Sequence, residues 1–207
     1  MAEGPKAKTF DIRRYDPKPE DVFIVDTNAW YWITYTRATL PCLPAPLTKQ
    51  CEQYAHFLKK ALNAGTTIAR CDLTLAELAH RIEMAEKRIY EHHSLADKNI
   101  TLKRYRAIPE ERARVIAEVD SAWSQVLTMS EHCVLTLTKD VTNAALAGFK
   151  AHLIGGYDLF LLQAMKQGRF PGILTDDGDF FGIPDISIFT CNESSLRKAK
   201  TAGQLHQ

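Results

Sequence analysis

Val22-Phe23-Ile24-Val25 is an unbroken run of strand-forming apolar side chains that comes after some twenty mostly polar positions. A strand covered on both faces reads this way, because neither side of it meets water. The run stops at Asp26-Thr27-Asn28, which is turn and helix-cap chemistry. The period then lengthens. Residues 29–35 (AWYWITY) open a first helix, which the proline-rich stretch 41–46 is expected to end. Tyr54, Phe57, Leu58, Ala61 and Leu62 recur at helical spacing up to Gly65, a residue suited to a C-terminal cap. Thr66 to Cys71 reads as a second strand. Leu75, Leu78, Ile82, Ala85 and Ile89 then mark a long amphipathic helix.

Val115, Ile116, Val119, Trp123, Val126 and Leu127 predict another helix, and Val134 to Leu137 is a short apolar piece. A helix through Ala144, Ala145 and Phe149 breaks at Gly155-Gly156. The next carries Leu159, Leu162 and Met165 and ends near Gly168. Ile173-Leu174 and Ile186 to Phe189 supply the third and fourth strands. Strands alternating with helices imply an α/β fold: three layers, α/β/α, around a mainly parallel sheet, with a helical insertion around 80–130. One domain over 21–192 is expected, between a loose N-terminal arm (1–20), which Phe10, Ile12 and Tyr15 could pin in part, and a polar tail (193–207) of at most a helical turn or two.

Composition changes this picture little. Twenty-six basic against 25 acidic residues leave a net charge of +1, so any nucleic-acid surface must be local. Five scattered cysteines without a CxxC pair suggest neither a disulfide framework nor a zinc cage. No apolar stretch approaches a membrane span or a leader's apolar segment, so a cytoplasmic, soluble protein is expected.

The candidate chemistry lies just past the end of each strand. Ligands of open parallel sheets bind beyond the carboxyl ends of the strands. Asp26 comes after the first, Asp72 and then Glu77 after the second, and Thr175-Asp176-Asp177-Gly178-Asp179-Phe180 after the third; Asp158 opens the helix leading to that third strand. Each acid alone has a plainer role. Asp26 fits a helix cap and Asp158 an N-cap or a first-turn partner of the helix dipole, Thr74-x-x-Glu77 has capping-box spacing, and Asp177-Gly178-Asp179 is good turn sequence. Together they need a further cause. Two carboxylates about 4 Å apart repel by on the order of 4 kcal/mol at an effective dielectric near 20. A divalent cation removes that cost, and an all-oxygen set without His or Cys suits Mg²⁺ or Mn²⁺. Such an ion lowers the pKa of a bound water and offsets charge on a phosphate.

These segments also resemble a family. Phe23-Ile24-Val25-Asp26-Thr27-Asn28, Leu73-Thr74-Leu75-Ala76-Glu77-Leu78, Tyr157-Asp158-Leu159 with Ala164, and Thr175-Asp176-Asp177-Gly178-Asp179-Phe180 look, in that order, like the four motifs of PIN domains. The resemblance implies a Mg²⁺- or Mn²⁺-dependent endoribonuclease, most often the VapC-type toxin of a toxin–antitoxin pair, leaving 5′-phosphate and 3′-hydroxyl ends. It makes Asp26, Glu77, Asp158 and Asp177 the catalytic, metal-binding quartet, with Asp179 auxiliary in holding metal and Thr175 orienting the site. Asp176 falls where the family is variable. RNA would be the substrate, an antitoxin a candidate partner and a homodimer a candidate assembly. The 51 positions from Asp26 to Glu77 and the 81 from Glu77 to Asp158 exceed the gaps of compact VapC-type toxins.

Lesser features stay open. Trp30, Tyr31, Trp32 and Tyr35 could stack on unpaired bases, could border the antitoxin groove that the resemblance implies between neighbouring helices, or could simply pack the core. Lys103, Arg104, Arg106, Arg112 and Arg114 could edge a phosphate site, but Glu110, Glu111 and Glu118 interleave with them as on a solvated helix. His92-His93 has no metal-ligand spacing. Two rival functions remain. A phosphatase with an aspartyl nucleophile at Asp26 would want a second Asp where Asn28 stands. A non-catalytic PIN-like adaptor would bind nucleic acid or protein through the same scaffold.

Overall fold

A computed structural model describes residues 6–43, 48–94 and 98–206. Residues 1–5 of the expected arm and 44–46 of the proline-rich stretch lie outside them. The seven strands among the described residues run parallel in one sheet, in the order β4-β3-β2-β5-β6-β1-β7. They are β1 (Lys8–Asp11), β2 (Val22–Val25), β3 (Thr67–Cys71), β4 (Glu131–Cys133), β5 (Gly172–Leu174), β6 (Ser187–Thr190) and β7 (Leu205–His206). Among the described residues there are eight helices: α1 (Thr27–Thr34), α2 (Thr48–Asn63), α3 (Thr74–His93), α4 (Leu102–Arg106), α5 (Pro109–Met129), α6 (Lys139–Ala151), α7 (Gly156–Gly168) and α8 (Glu193–Thr201). This is the three-layer α/β/α arrangement expected from the alternation of periods.

The alternating side chains of β2 show why the run is continuous. Phe23 and Val25 enter one core with α1, α2, α3 and α5, whereas Ile24 enters the opposite core with α7 and α8. Every position is therefore apolar. β5 must lie close against β2: a Cβ at Gly172 would sit 2.8 Å from both the Phe23 ring and the Val22 carbonyl oxygen. On α2, Tyr54, Phe57, Leu58 and Ala61 form the buried stripe, and Gly65 at φ +77° turns the chain into β3.

Several expectations need correction. Residues 8–11, placed in the loose arm, form β1 between β6 and β7. Its Phe10 stacks on Phe189 with ring centroids 4.9 Å apart, so the strand is held by side-chain packing as well as by the ladder. The polar tail forms α8 and β7, because Leu196 and Ala199 bury one face of an otherwise polar helix. β4, at Glu131–Cys133, is a strand that the apolar pattern does not predict; it stands just before the short apolar piece Val134 to Leu137. Val134 and Leu137 are exposed, as the rim beyond a short edge strand allows. α1 ends at Thr34, with Tyr35 already extended, ahead of the prolines. The helical segment around 80–130 packs on the body, with Ile82, Ala85 and Ile89 of α3 and Ala122 and Val126 of α5 in the first core. None of the described helices is long and apolar enough to cross a membrane.

Candidate active site

The sheet register brings the first two site residues together. Val25 of β2 is opposite Leu174 of β5, so Asp26 and Thr175 emerge side by side from adjacent strands. The Asp26 N–H donates to the Leu174 carbonyl at 3.0 Å, and Thr175 Oγ1 donates to Asp26 Oδ2 at 2.6 Å. Both residues are buried. Asp26 Oδ1 accepts the Thr27 N–H at 2.6 Å, so the acid also serves the start of α1, as its plainer role required. Thr175 Oγ1 in turn accepts the Asp177 N–H at 2.9 Å, and Asp177 Oδ1 accepts the Asp179 N–H at 2.9 Å. One chain of bonds thus runs from the end of β2 through the loop after β5 to the short 3-10 turn at Asp179–Gly182.

Glu77 and Asp158 arrive on helix N-termini. α3 comes after β3 and α7 precedes β5, so both helices begin at the carboxyl edge of the sheet, each with its acid in the first turn. Leu73 and Gly155 occupy their N-cap positions without a side-chain cap bond, so neither the capping box at Thr74 nor an N-cap role for Asp158 is formed. Thr74 Oγ1 instead accepts the Cys71 N–H at 3.2 Å.

These acids feel one another. Burial pushes the Asp26 carboxyl up to about 7; the Thr175 bond opposes the rise, the charges of Glu77 and Asp177 add to it, and Arg81 pulls against it. Burial also pushes Asp158 up to about 8, with Asp26, Asp177, Glu77 and Asp179 all contributing repulsion. Asp179 is raised by burial and by Asp177. The sequence-predicted quartet and its auxiliary acid therefore share one electrostatic neighbourhood. Asp72 does not join it. Burial raises that carboxyl, but the Leu135 N–H at 2.5 Å and the His132 ring at 2.6 Å outweigh it and hold Asp72 below the usual range.

Asp176 turns the other way. It accepts from Tyr54 Oη at 2.9 Å, Gln50 Nε2 at 3.0 Å and Asn192 Nδ2 at 3.3 Å. Tyr54 also donates to the Thr175 carbonyl at 3.0 Å and lies 2.9 Å from Thr190 Oγ1. Tyr54, on α2, is fully buried and clamps the loop that carries Thr175 and Asp177. In the sequence it reads only as one more apolar position of an amphipathic helix; its hydroxyl gave no signal. Arg81 stands one helical turn after Glu77, a spacing that could have flagged it.

The aromatic and basic features divide. Trp30 and Tyr35 are core residues, while Tyr31 and Trp32 line a cleft of about 570 Å³ with Arg81, Met84, Arg88 and Asn192. Arg106 and Arg112 pair with Glu83, and Arg114 pairs with Glu111, so these three guanidinium groups are engaged in ion pairs.

The donor chemistry fits a hard divalent cation. Five carboxylates without His or Cys repel one another, and Asn28 Oδ1, two residues past Asp26, is a buried oxygen with no hydrogen-bond donor. Among the described residues, no three such side chains converge closely enough to hold an ion as they stand.

No family model matches the chain, and no curated protein matches it. Among solved structures, it is similar to a chain of VapBC2 from Rickettsia felis, crystallised bound to a DNA fragment from the promoter. Identity is 16% and the TM-score 0.45, over 81% of this chain and 96% of that one.

Proposed function

We propose that this protein is a metal-dependent endoribonuclease of the PIN-domain type, hydrolysing RNA phosphodiester bonds at the acidic cluster. The supporting observation is that acids from four distant segments lie in one neighbourhood at the carboxyl edge of a parallel sheet, while their electrostatic cost is left uncompensated. Asp26, Glu77, Asp158 and Asp177, with Asp179 auxiliary, would hold Mg²⁺ or Mn²⁺. A bound ion supplies an activated water and neutralises charge on the scissile phosphate.

The chain's own residues set the stage for that chemistry. Thr175 fixes the Asp26 carboxylate by its 2.6 Å bond and, by accepting from the Asp177 N–H, fixes the next acid in the same stroke. Tyr54 and Asn192 hold the intervening Asp176 away from the cluster, so the loop presents alternate carboxylates to opposite sides. A role as the toxin of a toxin–antitoxin pair, with an antitoxin as partner and a homodimer as the assembly, belongs to the same proposal.

The test is calorimetric titration with Mg²⁺ and Mn²⁺, beside cleavage of single-stranded RNA with and without chelator. Saturable binding and chelator-sensitive cleavage, both lost in Asp26→Asn, are expected. Unaltered cleavage by Asp26→Asn overturns the site assignment. A second reading, a non-catalytic adaptor on the same scaffold, draws on the absence of a converged three-ligand group among the described residues. It predicts no tight binding of either ion and no cleavage.

A further inference from the structure

The geometry points to a subsite for unpaired nucleotides flanking the scissile phosphate, in the cleft lined by Tyr31, Trp32, Arg81 and Arg88. This inference rests on the nuclease proposal for the identity of the strand being cut, and its test separates the two.

The placement comes from α3. Glu77, Arg81, Met84 and Arg88 are spaced by four, three and four residues, so they lie along one stripe of the helix. That stripe begins at an acid of the site and runs about 16 Å to Arg88. Arg81 stands one helical turn beyond Glu77, and Asp176 and Asn192, at the loop after β5 and the start of α8, also line the cleft. The cleft therefore begins one helical turn along α3 from Glu77.

Its chemistry changes along the way. The cluster is anionic and suits a cation bridging to phosphate; the cleft adds two guanidinium groups and two half-buried aromatic rings. Arg81 lies over the Tyr31 ring at 5.9 Å, which holds the ring and the charge at one wall. Trp32 leans on Tyr54 with centroids 5.5 Å apart, leaving it half-buried at the opening. Guanidinium groups take successive phosphates, and rings take the faces of unstacked bases, whichever base is present. A duplex cannot use those rings, because its base faces are already stacked within the helix. The cleft thus selects single-stranded segments with little preference for sequence.

Binding is measured by fluorescence anisotropy with a labelled oligouridylate of about eight nucleotides, in chelator so that nothing is cut, at several salt concentrations. A duplex of equal length serves as comparison. The single strand is expected to bind more tightly than the duplex and to quench tryptophan emission. Arg81→Ala with Arg88→Ala should weaken binding more than about tenfold and flatten the salt slope by roughly 1.4, the value for two phosphate contacts on a single strand. Trp32→Leu should weaken it by about tenfold with the salt slope unchanged, since stacking releases no counterions. Retention of parental affinity in both variants, each shown folded by its melting transition, overturns the subsite. So does equal affinity for duplex, or a cleft covered by a co-purifying protein that the oligonucleotide fails to displace. If the oligonucleotide binds as expected but is not cut with Mg²⁺ or Mn²⁺, the nuclease proposal falls and the subsite stands. If RNA is cut with unchanged KM in the variants, the reverse holds.

Discussion

The molecule buries carboxylates in two ways, and the contrast is informative. On the middle of α3, Glu86 is fully buried and accepts from Tyr35 Oη at 2.6 Å and from Arg37 at 2.6 and 2.8 Å. Glu83, one turn earlier, is buried against Arg106 and Arg112. Each of these acids has a cation and good hydrogen bonds, which is how a buried charge is ordinarily tolerated. At the strand ends, Asp26 has two hydrogen bonds and the partial counter-charge of Arg81 against Glu77 and Asp177, and Asp158 faces Asp26, Asp177, Glu77 and Asp179. The same chain that neutralises Glu83 and Glu86 leaves the strand-end acids in excess. An uncompensated group of this kind is characteristic of a site completed by something that binds.

The contrast can be broken or sharpened by substitution. The largest expected effect is on activity: Asp26→Asn or Asp177→Asn should remove RNA cleavage altogether, beyond the roughly 10- to 100-fold loss typical of an outer-shell partner, while thermal melting without metal shows a fold as stable as the parent or more so. A melting temperature well below the parent's would show that Asp26 is needed by the fold rather than by the site. The paired acids should behave oppositely. Arg37→Ala leaves Glu86 without its cation and should cost about 3 to 5 kcal/mol in urea unfolding; a cost below about 1 kcal/mol would erase the distinction between the two regions.

A pH series tests the unpaired side. The folded pKa of Asp26 lies above its unfolded value, so the folded state holds the proton more tightly. Its contribution to stability is full below about pH 4 and is lost as pH rises through about 7. In chelator, stability should therefore fall by roughly 2 to 4 kcal/mol across that window. Asp26→Asn should reduce the slope without abolishing it, because Asp158, raised to about 8, titrates over an overlapping range, and a parental slope in that variant would contradict it. The smallest effect is expected at the clamp. Tyr54→Phe keeps the ring and removes the hydroxyl that holds Thr175 and Asp176, which should cost about 1 to 2 kcal/mol and lower kcat more than it raises KM. An unchanged kcat would mark Tyr54 as a fold residue alone.

The legibility of each element in the sequence depends on where its stability comes from. β2 could be read because both its faces are buried, so every one of its side chains is apolar. β1 could not: Lys-Thr-Phe-Asp borrows its stability from β6 and from the stacked Phe189 ring, and no local pattern records those partners. β4, a three-residue edge strand with two exposed positions, has the same difficulty. The acids were legible because strand ends announce themselves. Asp72, equally a strand-end acid, was indistinguishable by that rule, and it is the Leu135 N–H and the His132 ring that draw it away. Tyr54 was hidden because a hydroxyl at the end of a buried ring leaves the hydrophobic period unchanged.

The bond between Thr175 and Asp26 spans 149 positions of the chain. A ribosome adding about 5 to 20 residues per second needs on the order of ten seconds to travel between them. Throughout that interval the nascent polypeptide carries Asp26 without the strand beside which it must sit. The acids can therefore assemble only after the loop carrying Thr175 and Asp177 has been made, and a chain released before that point carries the first of them with nothing to complete it.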